Sequence, residues 1–222
     1  VIRIAVLASG GGTNLQALLD ACQAGRIDGR VAAVLCNVAG AGALDRARAA
    51  GVPAELLPSR GATDRAAYDR SLSERLALHR PDLVCLAGWM RILGPAFLAA
   101  WGPAPGTRGC PRVMNIHPAL LPAFPGLHVQ RAAVEAGVRF SGCTVHFVDE
   151  GTDTGPIVVQ AVVPVLQDDD EKSLAARILA EEHRIYPRAV QWFAQGRLSL
   201  EGRRVRVDGE PPASGAMRNP GG

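Results

Sequence analysis

The sequence predicts an α/β protein: an open, twisted, mostly parallel sheet flanked by helices, with antiparallel strands in the C-terminal half. Three observations predict it. Short apolar runs alternate with amphipathic stretches of helical spacing through the first hundred residues, as in sheets built by right-handed crossovers. A run of three glycines, Gly10-Gly11-Gly12, follows directly on the first apolar run. Beyond residue 140 the apolar runs follow one another with turn residues and no helical spacing between them, as antiparallel neighbours do.

Taken in order, Ile2–Ala8 is too short for a helix and reads as a buried parallel strand entering a turn. Asn14–Ala24 has helical spacing, with Leu15, Leu18 and Leu19 on one face. Val31–Cys36 is the second strand and Ala43–Ala50 the second helix, closed by Gly51 and Pro53; Ala54–Leu57 fits another short strand. Asp64–His79 is helical, with Tyr68, Leu72, Leu76 and His79 pointing inward, and Leu83–Ala87 is a strand. A helix is expected over Ile92–Trp101, then a Gly- and Pro-rich surface loop, Gly102–Arg112. Val113–Ile116 is a strand running straight into His117-Pro118, and Ala132–Ala136 lies in a helix. Cys143–Val148 and Ile157–Val165 read as antiparallel strands. Asp168, Asp169 and Asp170 offer N-caps for a helix over Glu171–Gln195, which Pro187 should kink or divide. Leu198–Leu200 and Val205–Val207 form a hairpin around Glu201-Gly202. One domain is expected over 1–208, with halves at 1–101 and 113–208, and the Gly/Pro/Ser-rich tail 209–222 is expected to be disordered.

The 222 residues are 48% hydrophobic and 5% aromatic, so the core is aliphatic and stacking surfaces are few. A net charge of +3 with arginines scattered among acids lacks the basic stripe of a nucleic-acid binder. Cys22, Cys36, Cys85, Cys110 and Cys143 are odd in number and contain no C-x-x-C pair, against zinc or thioredoxin-like chemistry and in keeping with free thiols in a reducing compartment. No apolar run reaches the ~18 residues of a membrane span, and no signal peptide precedes the first strand, so a cytoplasmic protein without membrane partners is expected.

Three stretches carry chemistry. Gly10-Gly11-Gly12-Thr13-Asn14, between strand and helix, sets backbone N–H groups at a helix N-terminus, where a phosphate binds. A P-loop is excluded because no lysine follows the glycines. A dinucleotide fingerprint fails because Leu15 replaces its third glycine and Asn37 stands where the ribose acid belongs. A monophosphate ester is the preferred ligand, and a tight turn with no ligand is the alternative. Asn115-Ile116-His117-Pro118 lies at the carboxyl end of a strand, where alternation puts Asn115 and His117 on one side and Pro118 keeps the segment extended. An amide beside an imidazole can grip an oxygen that becomes negative. Taken alone, an Asn-x-His pair also fits an ordinary hydrogen-bonded turn. Asp149–Pro156 lacks the calcium-loop pattern and reads as a carboxylate loop able to face His117.

Gly11–Leu15, Ala87–Leu93, Asn115–Pro122, Pro125–His128 and Asp149–Pro156 together resemble the folate-dependent glycinamide ribonucleotide formyltransferases, from Ile2 to about Leu200. The resemblance implies a Rossmann-like formyltransferase fold and transfer of formyl from 10-formyltetrahydrofolate, as co-substrate, to the amine of glycinamide ribonucleotide in purine biosynthesis. It implies Asn115, His117 and Asp153 as the catalytic group. Gly12, Thr13 and Asn14 would hold the ribonucleotide phosphate and Glu182 the ribose. Arg65, Met90, Arg91, Ile92 and Leu93 would meet the folate, with the loop Asp149, Glu150, Gly151, Thr152 and Asp153. The first half would then serve the ribonucleotide and the second catalysis and folate, in a monomer or homodimer needing no metal. Two alternatives are a formyl-folate hydrolase and a non-catalytic nucleotide-binding module. Gly102–Arg112 is longer than the family's usual link, and Leu179 stands where a polar group often assists substrate binding. His79, His128, His146 and His183 read as structural, with His128 the one best placed to line a site.

Overall fold

The computed structural model describes residues 1–59, 61–210 and 219. Its element order is β1 (Ile2–Ala8), α1 (Thr13–Gln23), β2 (Gly29–Cys36), α2 (Gly42–Ala49), β3 (Ala54–Leu56), α3 (Arg65–Leu78), β4 (Leu83–Leu86), α4 (Pro95–Ala100), β5 (Val113–His117), α5 (Val129–Glu135), β6 (Phe140–Phe147), β7 (Ile157–Pro164), α6 (Glu171–Ala194), β8 (Leu198–Glu201) and β9 (Arg204–Val207). Seven strands form one sheet in the order β3-β2-β1-β4-β5-β6-β7, and β8 pairs with β9 as a separate hairpin. β1 to β5 are parallel, β6 runs antiparallel to β5, and β7 runs antiparallel to β6. The chain winds outward from β1 first toward β3 and then toward β5. The carboxyl ends of β1 and β4 therefore flank the switch point where such sheets leave a crevice.

Alternation along β1 explains the double-sided core. Ile4, Val6 and Ala8 face a cluster with Leu15, Leu18, Met114, Ile178 and Tyr186, while Ala5 and Leu7 face one with Leu72, Leu76, Val84 and Phe97. Tyr186 of α6 is fully buried, and its hydroxyl lies 3.0 Å from each of the Leu86 and Met114 carbonyls, the two strands whose ends carry the site.

Several elements differ from expectation for identifiable reasons. The helix expected at Ile92 begins only at Pro95: the residue before a proline is disfavoured in helix, and the Gly94 N–H is held by Asp69 Oδ2 at 2.7 Å. Thr13 starts α1, one residue early, because Gly12 takes the left-handed conformation as its N-cap. The strand expected from Cys143 starts at Phe140, since Gly142 fits close against the Ala161 backbone of β7. α6 runs undivided through Pro187, which forfeits one backbone hydrogen bond while its neighbours Tyr186, Ala189 and Val190 stay buried. Of the three aspartates, Asp170 is the N-cap, accepting from Ser173 N–H in a capping box. Asp169 instead pairs with Arg177 at 2.6 Å, which holds its carboxyl well below the usual range. His79 is a half-buried helix end bonded to Glu55 at 2.7 Å. At the start of the tail, Glu210 accepts from Trp192 and Arg197 at 3.1 and 3.0 Å. The rest of the expected disordered tail, except Asn219, lies outside the described residues.

Candidate active site

The glycine turn is built to leave donors open. Gly12 has φ +75, and no side chain caps α1. A Cβ on Gly12 would sit 2.7 Å from Ala43 Cα, so only glycine lets the turn lie against α2. α2 also pins the turn: Ala43 N–H donates to Gly10 O at 3.1 Å and Arg46 Nε to Gly11 O at 2.8 Å. Beside it, Asn14 Nδ2 donates to Glu182 Oε2 at 2.7 Å, linking the first helix to the last. Glu182 is buried, which pushes its carboxyl up. Gly12, Thr13, Asn14 and Glu182 thus lie together as one wall, whereas Leu179 is only partly buried on the same helix.

Sequence reasoning treated Asn37 only as a missing acid and passed over Ser9. Ser9 Oγ donates to Asn37 Oδ1 at 2.6 Å and accepts from Met90 N–H at 2.9 Å, while Asn37 Nδ2 donates to Ser59 Oγ at 3.0 Å. The pair ties the end of β1 to the segment after β4, across the switch point. Their place at the ends of two adjacent predicted strands was the available signal.

At the end of β5, three of the predicted residues meet. His117 is buried, with Nε2 2.9 Å from the Phe124 carbonyl and Nδ1 3.3 Å from Asp153 Oδ2. Both ring nitrogens therefore face oxygens, a setting that a ring carrying two protons satisfies in full. Asp153 takes a left-handed backbone (φ +56), rare for a residue with a side chain, and also accepts from Gly126 N–H at 2.9 Å. The same carboxylate lies 3.7 Å from His146 Nε2 through its Oδ1. Asn115 Nδ2 is 3.1 Å from His146 Nε2. The loop before Asp153 is closed by Asp149, whose Oδ1 accepts from Gly151 N–H at 3.2 Å and Thr154 Oγ1 at 2.6 Å.

The residues expected to meet folate divide. Met90 and Ile92 are exposed and Arg65 Nη2 donates to Ile92 O at 2.7 Å, fixing the backbone of that segment at the surface. Glu150, Gly151 and Thr152 are exposed. Arg91 instead stacks over the Tyr68 ring, 4.3 Å from its centroid. Leu93 is turned into the core with Trp89 and Phe97. His128 is exposed as the left-handed N-cap of α5, and His183 is half-buried on α6.

Known proteins carry the same architecture. The formyl transferase family model matches residues 2–190. The phosphoribosylglycinamide formyltransferase of Escherichia coli (strain K12) is 45% identical over 213 residues, covering 95% of this chain and 97% of that one. The trifunctional purine biosynthetic protein adenosine-3 of Drosophila melanogaster is 50% identical over 196 residues, 87% of this chain but 14% of that protein. The crystal structure of glycinamide ribonucleotide transformylase 1 from Symbiobacterium toebii superposes with a TM-score of 0.87 at 56% identity, over 93% of this chain and 94% of that one. The chain belongs to the formyl transferase family, in its phosphoribosylglycinamide formyltransferase branch.

Proposed function

We propose that this protein transfers the formyl group of 10-formyltetrahydrofolate to the amine of glycinamide ribonucleotide, giving formylglycinamide ribonucleotide and tetrahydrofolate, in purine biosynthesis. The observation that carries this reading is the meeting of Asn115, His117 and Asp153 at one strand end, in a chain alike throughout its length to the E. coli enzyme. The open N–H groups at Gly12, Thr13 and Asn14 hold the phosphate, where helix polarity favours negative charge. Glu182, steadied by Asn14, accepts from the ribose hydroxyls. The segment Met90–Leu93, the Arg65 side chain and the loop Asp149–Asp153 hold the folate.

The amine attacks the formyl carbon, forming a new C–N bond and converting the carbonyl oxygen to an oxyanion. Asn115 Nδ2–H and His117 Nδ1–H, the ring nitrogen not committed to the Phe124 carbonyl, donate to that oxygen; loss of one such donor costs about 10²–10³-fold in rate. Asp153 accepts the proton leaving the amine, directly or through a water, and the folate nitrogen gains one as its bond to the formyl carbon breaks. The oxyanion is served by protein donors, so this scheme needs no metal. Residues 1–208 act as one domain, with Glu182 crossing from the second half to complete the ribonucleotide wall of the first. Among the described residues, no helix is long and apolar enough to cross a membrane. Action on small, highly charged metabolites fits the cytoplasm.

Release of deformylated folate, followed by absorbance with and without glycinamide ribonucleotide, tests the reading on wild type and Asp153→Asn. Turnover is expected to require the ribonucleotide and to collapse in the variant. Release without the acceptor would establish a hydrolase instead. Absence of release with any amine would leave only nucleotide binding.

A further inference from the structure

His146 belongs to none of the groups assigned above, yet it is 2% exposed and lies among them. It stands on β6 directly opposite Asn115 of β5 in the antiparallel register. Its Nδ1 lies 2.9 Å from the Phe147 carbonyl, an acceptor only, so Nδ1 carries the proton. Nε2 is then a bare acceptor, and the group 3.1 Å away must be the NH₂ end of the Asn115 amide. This fixes which way round the amide stands. One Nδ2–H is spent on His146, and the second Nδ2–H and Oδ1 remain for a reacting group.

We propose that His146 is a positioning residue: held as its Nδ1–H tautomer by the Phe147 carbonyl, it orients the Asn115 amide so that a donor, not an acceptor, serves the developing oxyanion. The proposal rests on the reading of Asn115 given above. The alternative state is also defined by the surroundings. A proton on Nε2 would draw in Asp153 Oδ1, 3.7 Å away, and take the amide oxygen of Asn115 in place of its NH₂. Asp153 would then be shared between two imidazoles. Burial is the largest influence on His146 and pushes its pKa down, outweighing the nearby Asp153 and Asp149 carboxylates, with His117 acting in the same direction as burial. Nε2 therefore stays bare at neutral pH.

A double-mutant cycle tests this, using full-length protein and initial rates with both substrates varied. His146→Phe is expected to lower kcat about tenfold or more in the wild-type background, with KM for both substrates changed less than about twofold. In the Asn115→Ala background the same substitution is expected to change kcat less than about twofold, because the group it orients is gone. His146→Gln, whose side-chain oxygen can still accept from Asn115, is expected to recover part of the loss and keeps the test open should the Phe variant fold poorly. Equal losses in both backgrounds, or an unchanged kcat in both single variants, would overturn the proposal. A wild-type kcat in Asn115→Ala alone would instead overturn the oxyanion role of Asn115.

Discussion

Thr144 is expected to matter more through its hydroxyl than through its bulk. It is fully buried on β6, opposite His117 on one side and Gln160 on the other. Its Oγ1 donates to Ala119 O at 2.7 Å and accepts from Leu121 N–H at 3.1 Å and Gln160 Nε2 at 3.0 Å. These bonds hold the turn just after His117-Pro118. Thr144→Val keeps the shape but removes the hydroxyl's three bonds: the Leu121 N–H and the Ala119 carbonyl are left with only their mutual 3.2 Å contact, while Gln160 retains its 2.9 Å bond to Leu121 O. Because each group keeps a weak partner, the loss lies at the low end of the range for buried polar groups, about 1 kcal/mol apiece or about 2 kcal/mol in all. Thr144→Ser keeps the hydroxyl and loses one methyl group, for about 0.5–1.5 kcal/mol. With a urea m-value of about 2 kcal/mol/M, the Val variant should unfold at a midpoint lower by about 1 M and the Ser variant by well under 1 M. Formyl transfer should fall in the Val variant as the His117 loop loosens. A Val variant as stable as wild type, or more stable than Ser, would refute the reasoning.

Two further outcomes are expected. Gly12→Ala must place a Cβ 2.7 Å from Ala43 Cα in a left-handed conformation costing about 1–2 kcal/mol, so it should weaken ribonucleotide binding, read as a rise in KM, and lower the melting temperature. Glu182→Gln removes a carboxyl whose folded pKa burial holds above its unfolded value. Between those two values the folded protein binds more protons than the unfolded chain, so native stability falls as pH rises through that window. The Gln variant should therefore be the more stable protein at pH 7 and lose that advantage near pH 4, while its KM for the ribonucleotide rises; a thermal-shift series against pH reads the first and steady-state kinetics the second.

The parts of the molecule visible in the sequence were those set by local pattern. β1 is apolar but for Arg3 and β2 is apolar from Val31 on, and the glycines between β1 and α1 mark a turn that needs left-handed backbone. α4 begins at Pro95 rather than Ile92: the proline's restriction on Gly94 is local, but the bond that holds the Gly94 N–H outside a helix comes from Asp69 on a different helix. Within the site, Asn115 and His117 stand two residues apart on one strand, so their shared side was legible. Asp153 depends on a left-handed backbone that no residue pattern announces, and the Asn115–His146 contact depends on a strand register fixed only by the whole sheet. Arg91 and Leu93 carry no local sign of which faces solvent, because their segment has neither helical nor strand periodicity once the chain turns under Trp89. Long-range partners were the illegible class.

The bond between Asn14 and Glu182 joins residues 168 positions apart in the chain. A ribosome therefore makes one side of that wall long before the other. β1 is synthesised before the other strands and takes an interior place in the sheet, so β2 and β4 can be added on its two sides and β3 on β2 as they emerge. The glycine turn is finished at that stage, but its carboxylate partner arrives only with α6. Vectorial synthesis thus completes the ribonucleotide wall only after every strand of the main sheet has been made.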